Sequence, residues 1–137
     1  RAGHRVGPAA APTGDDPMPR EHLTIRSVDE MERTGGWALA RRSLDVEAFG
    51  LNVVDIPPGE AIPEHDETDR DQEEVFVTLA GAPSLVVDGS THLLPAGTFA
   101  RLDPEPRRAV RNDGEAAARV LIISAPRSSG YEPMEWA

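Results

Sequence analysis

Six turn signals recur at short intervals from residue 57 onward, and this punctuation limits the folding of the chain more than any other feature. They are Pro57-Pro58-Gly59, Gly81-Ala82-Pro83, Asp88-Gly89, Pro95-Ala96-Gly97, Asp103-Pro104 and Asn112-Asp113-Gly114. The segments around and between them, residues 46–56, 74–79, 84–87, 92–94, 98–102, 109–111 and 119–124, with 37–39 upstream, are apolar or β-branched and of strand length. Many short strands joined by close turns imply a sandwich or barrel, and no βαβ alternation is present. Asp88-Gly89 is the strongest local signal, because a type I′ hairpin turn needs positive φ at both central residues. It predicts a hairpin joining residues 84–87 to the strand through His92.

Upstream of this region the pattern is different. Residues 1–21 are rich in Pro, Gly and Ala and have no periodic apolar face, so they read as a disordered or extended tail ahead of a single domain spanning 22–137. Met18 reads as the native start, with the residues before it an extension. Leu23-Thr24-Ile25-Arg26 alternates like a strand. Ser27 and Glu30 have capping-box spacing for one or two helical turns, stopped by Gly35-Gly36.

A length of 137 residues is that of one domain with a core needing no staple. No cysteine is present, which excludes disulfides, thiolate metal sites and cysteine nucleophiles. The net charge of -10 opposes nucleic-acid binding, which rests on clustered Lys and Arg. No apolar run approaches the roughly 20 residues that span a bilayer. The expected location is cytoplasmic, with neither membrane nor nucleic acid as a partner.

Two spaced motifs then stand out. Gly59 is followed after five residues by His65, then by Glu67, and later by Glu74 and, after six intervening residues, Gly81. In the second motif Gly89 is followed after five residues by Pro95 and then Gly97, with Arg108 and, after three intervening residues, Asn112 beyond an insertion. Over residues 46–125 this frame resembles the cupin superfamily, in particular its small bacterial single-domain barrels, whose motifs read G(X)5HXH(X)3-4E(X)6G and G(X)5PXG(X)2H(X)3N. The resemblance implies an all-β double-stranded β-helix, or jelly-roll barrel, with at most one short helix.

It also implies a position for a metal. In metal-binding cupins two His and the Glu of the first motif, with the His of the second, hold Fe, Mn, Ni or Zn inside the barrel. Here His65 and Glu74 stand at ligand positions, Glu67 replaces the second His, and Arg108 replaces the last. A guanidinium about 4 Å from a divalent ion repels it by roughly 8 kcal/mol at an effective dielectric of 20, and arginine cannot lose its proton. The metal site therefore reads as degenerate, with no cofactor favoured. If a metal does bind, His65, Glu67 and Glu74 are its candidate ligands around an open position.

The other reading is an ionic lining. Strand alternation places Glu74, Phe76 and Thr78 on one face and Val75, Val77 and Leu79 on the other. An inward Arg108 would pair with Glu74, and an inward Arg101 would add a second guanidinium, favouring a small polar or anionic ligand such as a carboxylate or phosphate. A plain structural salt bridge at one end of a closed barrel is the competing explanation. Two functions follow. One is a small-molecule binding module using His65, Glu74, Phe76, Thr78, Arg101 and Arg108. The other is a metal-dependent cupin enzyme, an isomerase, epimerase, decarboxylase or dioxygenase, in which His65 and Glu74 act as acid, base or ligand.

Remaining features carry less. The acidic run 64–74 lacks an EF-hand's glycine and spacing and reads as a solvated, mobile loop. His92 reads as an exposed strand residue, His4 and His22 belong to the tail region, and no G-x-S-x-G element exists. Small cupins commonly form homodimers. An arm at 23–28 and the apolar face of Val75, Val77 and Leu79 suit such a partner, and Trp136 is expected to dock on the barrel or on the second copy.

Overall fold

The computed structural model describes residues 21–137. The reading of residues 1–20, Met18 included, lies outside them. The strands are β1 (Arg33–Thr34), β2 (Trp37–Ala38), β3 (Gly50–Ile56), β4 (Ala61–His65), β5 (Gln72–Ala80), β6 (Ser84–Val87), β7 (Ser90–Leu93), β8 (Phe99–Leu102), β9 (Arg108–Arg111) and β10 (Ala118–Pro126). One helix, α1 (Ala40–Leu44), and two 3-10 turns, Val28–Glu30 and Thr68–Arg70, complete the elements. The strands form two antiparallel sheets, ordered β1-β2-β3-β10-β5-β8 and β4-β9-β6-β7.

Sheet pleating turns sequence alternation into an inner and an outer face. On β10, Val120 and Ile122 point inward, and in register with them β5 contributes Thr78 and Phe76. Val54 and Ile56 from β3, Leu85 from β6, Leu102 from β8 and Val110 from β9 complete the core between the sheets. Glu74 belongs to the same file as Phe76 and Thr78, because a strand repeats every two residues. The β5–β10 ladder shifts register between Arg119 and Val120, where Thr78 rather than Leu79 follows Ala80 in the pairing, and Leu79 is left exposed.

Turn chemistry explains the connections. Asp88 and Gly89 take φ of 48° and 85°, and Val87 pairs with Ser90 across them, as the hairpin signal requires. Gly81 is needed for two reasons. Its φ is 77°, and a Cβ there would lie 2.9 Å from the Ala117 carbonyl oxygen and from the Ala118 Cα. Asn112 is buried. Its Nδ2 donates to the carbonyls of Ile56 at 2.8 Å and Ala116 at 2.9 Å, and its Oδ1 accepts from the Gly114 N–H at 3.0 Å. The motif asparagine therefore ties two loops together.

Some local expectations are overturned. Residues 23–26 form no strand, and Leu23 and Ile25 are exposed, because alternation without a neighbouring strand gives the backbone no ladder partner. The run at 46–56 is shortened to Gly50–Ile56 by α1, which ends at Asp45 in the left-handed region. β4 carries no strong strand signal, since Pro63 interrupts it and Ile62 is its one buried side chain. It lies at a sheet edge with a register shift between Ile62 and His65, where proline is tolerated. Trp136 is exposed rather than docked on its own barrel.

Candidate functional site

Four side chains from three chain segments meet at one end of the barrel. His65 closes β4, and its cross-strand partner is Arg108, the first residue of β9. Glu74 reaches in from β5 in the other sheet, and Glu67 sits just before the Thr68–Arg70 turn. Donor atoms of His65, Glu67 and Glu74 all lie within 4.8 Å of one another. Arg108 has no exposed surface. Its Nη1 donates to Glu74 Oε1 at 3.2 Å and its Nη2 to the Asp103 carbonyl, while its buried Nε has no protein partner among the described residues.

The geometry of His65 sets its proton. Nδ1 is 2.9 Å from the Pro63 carbonyl oxygen, which can only accept, so Nδ1 carries the hydrogen. Nε2 then faces Glu67 Oε2 at 3.2 Å. Two acceptors at that distance attract only if a proton or a cation lies between them. Glu74 is held above the ordinary carboxylate range, first by burial and next by the charge of Glu67, against the opposing pull of Arg108 and His65.

A cavity of about 610 Å³ opens above this cluster. His65, Glu67, Glu74 and Phe76 line it, with Trp37, Gln72 and the arginines Arg41, Arg42 and Arg70. Thr78 is buried on the same strand face but does not line it, and its hydroxyl has no partner among the described residues. Arg101 is corrected by the structure. It pairs in register with Val75 on the outer face, and its guanidinium bonds Asp103 at 2.5 Å and Glu73 at 3.4 Å in solvent. Strand parity explains this, since Ala100 and Leu102, its neighbours, turn toward the core.

The acidic run is also more tied than a solvated loop suggests. Asp66 accepts from the Thr68 N–H and hydroxyl, Asp71 and Glu105 share Arg127, and Glu73 pairs with Arg101. Among its carboxylates, Glu67 and Glu74 line the cavity. The cavity arginines carried no sequence signal. α1 is too short for a helical period, and Arg70 lies in the stretch by which the first motif exceeds the family spacing.

A divalent metal is the group this fold implies, and the residues fit it in part. Three nitrogen and oxygen donors converge, and His65 is oriented by a backbone carbonyl as metal-binding histidines usually are. The two carboxylates would attract a divalent ion held there, and the Arg108 guanidinium would repel it. Arg108 would therefore weaken such a site.

The comparisons with known proteins agree with this architecture. A cupin protein from Bacteroides fragilis superposes with a TM-score of 0.70 at 20% identity, covering 85% of this chain and 94% of its own. A conserved double-stranded β-helix protein from Klebsiella pneumoniae gives 0.63 at 22%, covering 77% and 92%. A protein described as a sugar phosphate isomerase of the cupin superfamily, from Silicibacter pomeroyi, gives 0.57 at 23%, covering 66% and 60%. At such identities the likeness concerns the fold alone. No curated protein matches in sequence. The model of the cupin domain family, Cupin_2, matches residues 52–124, more than half of the chain, and the protein belongs to that family.

Proposed function

We propose that the barrel binds a small polar, anionic molecule in the cavity above His65, Glu67 and Glu74, and does so without a complete metal site. One observation carries this reading: the buried Arg108–Glu74 pair takes the place of the fourth ligand, yet a cavity of about 610 Å³ remains open beside it. Phe76 and Trp37 supply apolar wall, and His65 and Gln72 supply hydrogen bonds. Arg101 takes no part, because it faces solvent. To test the reading, small hydroxy acids and their matched alcohols are titrated at constant ionic strength, following Trp37 fluorescence and the His65 ring resonances. Saturable change at both is expected, and no change with any compound would refute the reading.

A second reading is supported by the orientation of His65, whose Nε2 lies 3.2 Å from Glu67 in a donor cluster completed by Glu74. His65, Glu67 and Glu74 would then hold Fe, Mn, Ni or Zn at a three-ligand centre of a small-molecule enzyme. Such an ion would polarise a substrate oxygen or acidify a bound water. Elemental analysis of tag-free protein separates the readings: stoichiometric metal, lost in both His65→Ala and Glu74→Gln, supports the enzyme, and metal-free protein supports the binding module. We also propose that two copies pair through the outer face of the six-stranded sheet, where exposed Leu79 and Phe99 accompany Val75 and Val77.

A further inference from the structure

The cavity has a buried acidic floor and a solvent-side mouth that carries three arginines and one carboxylate, Glu47. Glu74 and Phe76 are buried and Glu67 and His65 partly so, whereas Arg41, Arg42 and Arg70 are exposed and therefore stand on its solvent side. These three arginines are not equivalent. Arg42 is paired with Glu32 at 3.1 Å. Arg41 donates to the neutral carbonyl of Val46 at 3.1 Å, and Arg70 forms no ion pair or hydrogen bond among the described residues. Arg41 and Arg70 thus form no ion pair with a carboxylate among the described residues, although the exposed Glu47, which has an interaction of its own, lines the same mouth.

The backbone that carries Arg70 is fixed in place. The Thr68 N–H and hydroxyl bond Asp66, and the Gln72 N–H donates to the Glu67 carbonyl at 3.1 Å. Asp71 takes φ of 51°, its carbonyl accepts from the Arg127 N–H at 3.0 Å, and its carboxylate accepts from the Arg127 guanidinium at 2.6 Å. A cation presented on so constrained a turn loses less freedom on binding an anion than one on an open loop. Its planar fork also matches a carboxylate in two places.

The floor asks for the opposite polarity. Glu67, Glu74 and the His65 Nε2 present acceptors, and Arg108 already offsets the charge of Glu74. Neutral donors, such as hydroxyl groups, suit them. We propose that Arg70, assisted by Arg41, is the carboxylate clamp of this pocket, and that its ligand is a small hydroxy acid with hydroxyls directed to Glu67 and Glu74. This rests on the small-molecule reading above and adds the ligand class and the selecting residues.

The test uses the full chain with glycerate and gluconate as probes, glycerol and sorbitol as alcohols lacking the carboxylate, and butyrate as an acid lacking hydroxyls. Calorimetry at constant ionic strength reports the affinity, and Trp37 and His65 signals report occupancy. A hydroxy acid should bind at least tenfold more tightly than its alcohol and than butyrate. Arg70→Ala should weaken it at least tenfold, about 1.4 kcal/mol, and Arg41→Ala by less. Arg111→Ala, which removes an exposed arginine already paired with Asp113, should leave binding unchanged. Equal affinity for acid and alcohol, an unchanged Arg70→Ala, or an equal loss in Arg111→Ala would overturn the clamp while leaving the pocket standing. Butyrate binding as tightly as glycerate would overturn the hydroxyl half. Silence of Trp37 and His65 with every compound would remove the pocket itself.

Discussion

Arg108 and Glu74 form an ion pair across the two sheets, 3.2 Å apart, one partner wholly buried and the other nearly so. β9 supplies the cation and β5 the anion, so the contact joins the sandwich at the end where its cavity opens. The Asp103 carbonyl takes a second guanidinium bond, which fixes Arg108 in the barrel interior rather than leaving it free to turn out to water.

Removing one member of this pair strands the other. Arg108→Met should cost about 3 to 5 kcal/mol of unfolding free energy in urea titrations, because Glu74 stays buried with its main counter-charge gone. The double substitution Arg108→Met with Glu74→Leu should recover most of that loss. Additive losses in the cycle would show that the two side chains do not interact.

The pH dependence separates two carboxylates of opposite sense. The folded pKa of Glu74 is raised from 4.5 by burial, so the unfolded chain releases this proton first as pH rises. Its contribution to stability is full below pH 4.5 and declines until the folded value is passed. Glu74→Gln should remove that slope. Asp55 is lowered from 3.8, chiefly by its hydrogen bond from Arg119, so it stabilises the fold above that value and loses the effect as pH falls. Asp55→Asn should flatten the acid limb of the same profile.

If Arg108 occupies the seat of a lost ligand, restoring an imidazole should restore affinity for metal. Arg108→His is expected to bind Zn at least tenfold more tightly than the parent in competition with a chromophoric chelator. A fall in affinity would show that this position is not directed at the cluster.

Asn112 stabilises loops rather than chemistry. Asn112→Ala deletes three hydrogen bonds and leaves the buried Ile56 carbonyl and the part-buried Ala116 carbonyl with one partner fewer, so a loss of about 2 kcal/mol is expected by chemical denaturation. Ligand affinity should be unchanged in whatever fraction remains folded.

Light scattering should give twice the chain mass if the outer face pairs as proposed. Leu79→Lys with Phe99→Glu, both exposed in the single chain, should then yield a folded monomer. A parent protein of single-chain mass would end the pairing proposal.

Much of this architecture was readable before any coordinates, and for local reasons. Positive φ at Asp88, Gly89, Gly59 and Gly97 is written into the turn residues themselves, and the inward file of Glu74, Phe76 and Thr78 follows from a period of two. α1, edge strand β4 and the outward turn of Arg101 were not readable in this way. A five-residue helix has no period to detect, Pro63 disguises an edge strand, and the face of a short strand depends on where its pairing starts.

The sequence alone determined which residues make turns, which alternate, and that a guanidinium stands at a ligand position of the family, because these depend on neighbours in the chain. Only the tertiary structure decided that Arg108 turns inward onto Glu74, that Pro63 sets the tautomer of His65, and that Arg70 and Arg41 share one cavity with Glu74 and His65. The Pro63–His65 contact is local but depends on the register-shifted geometry at the end of β4, whereas the ion pair and the shared cavity join residues far apart in the chain, which no local propensity encodes and which required two sheets to pack together.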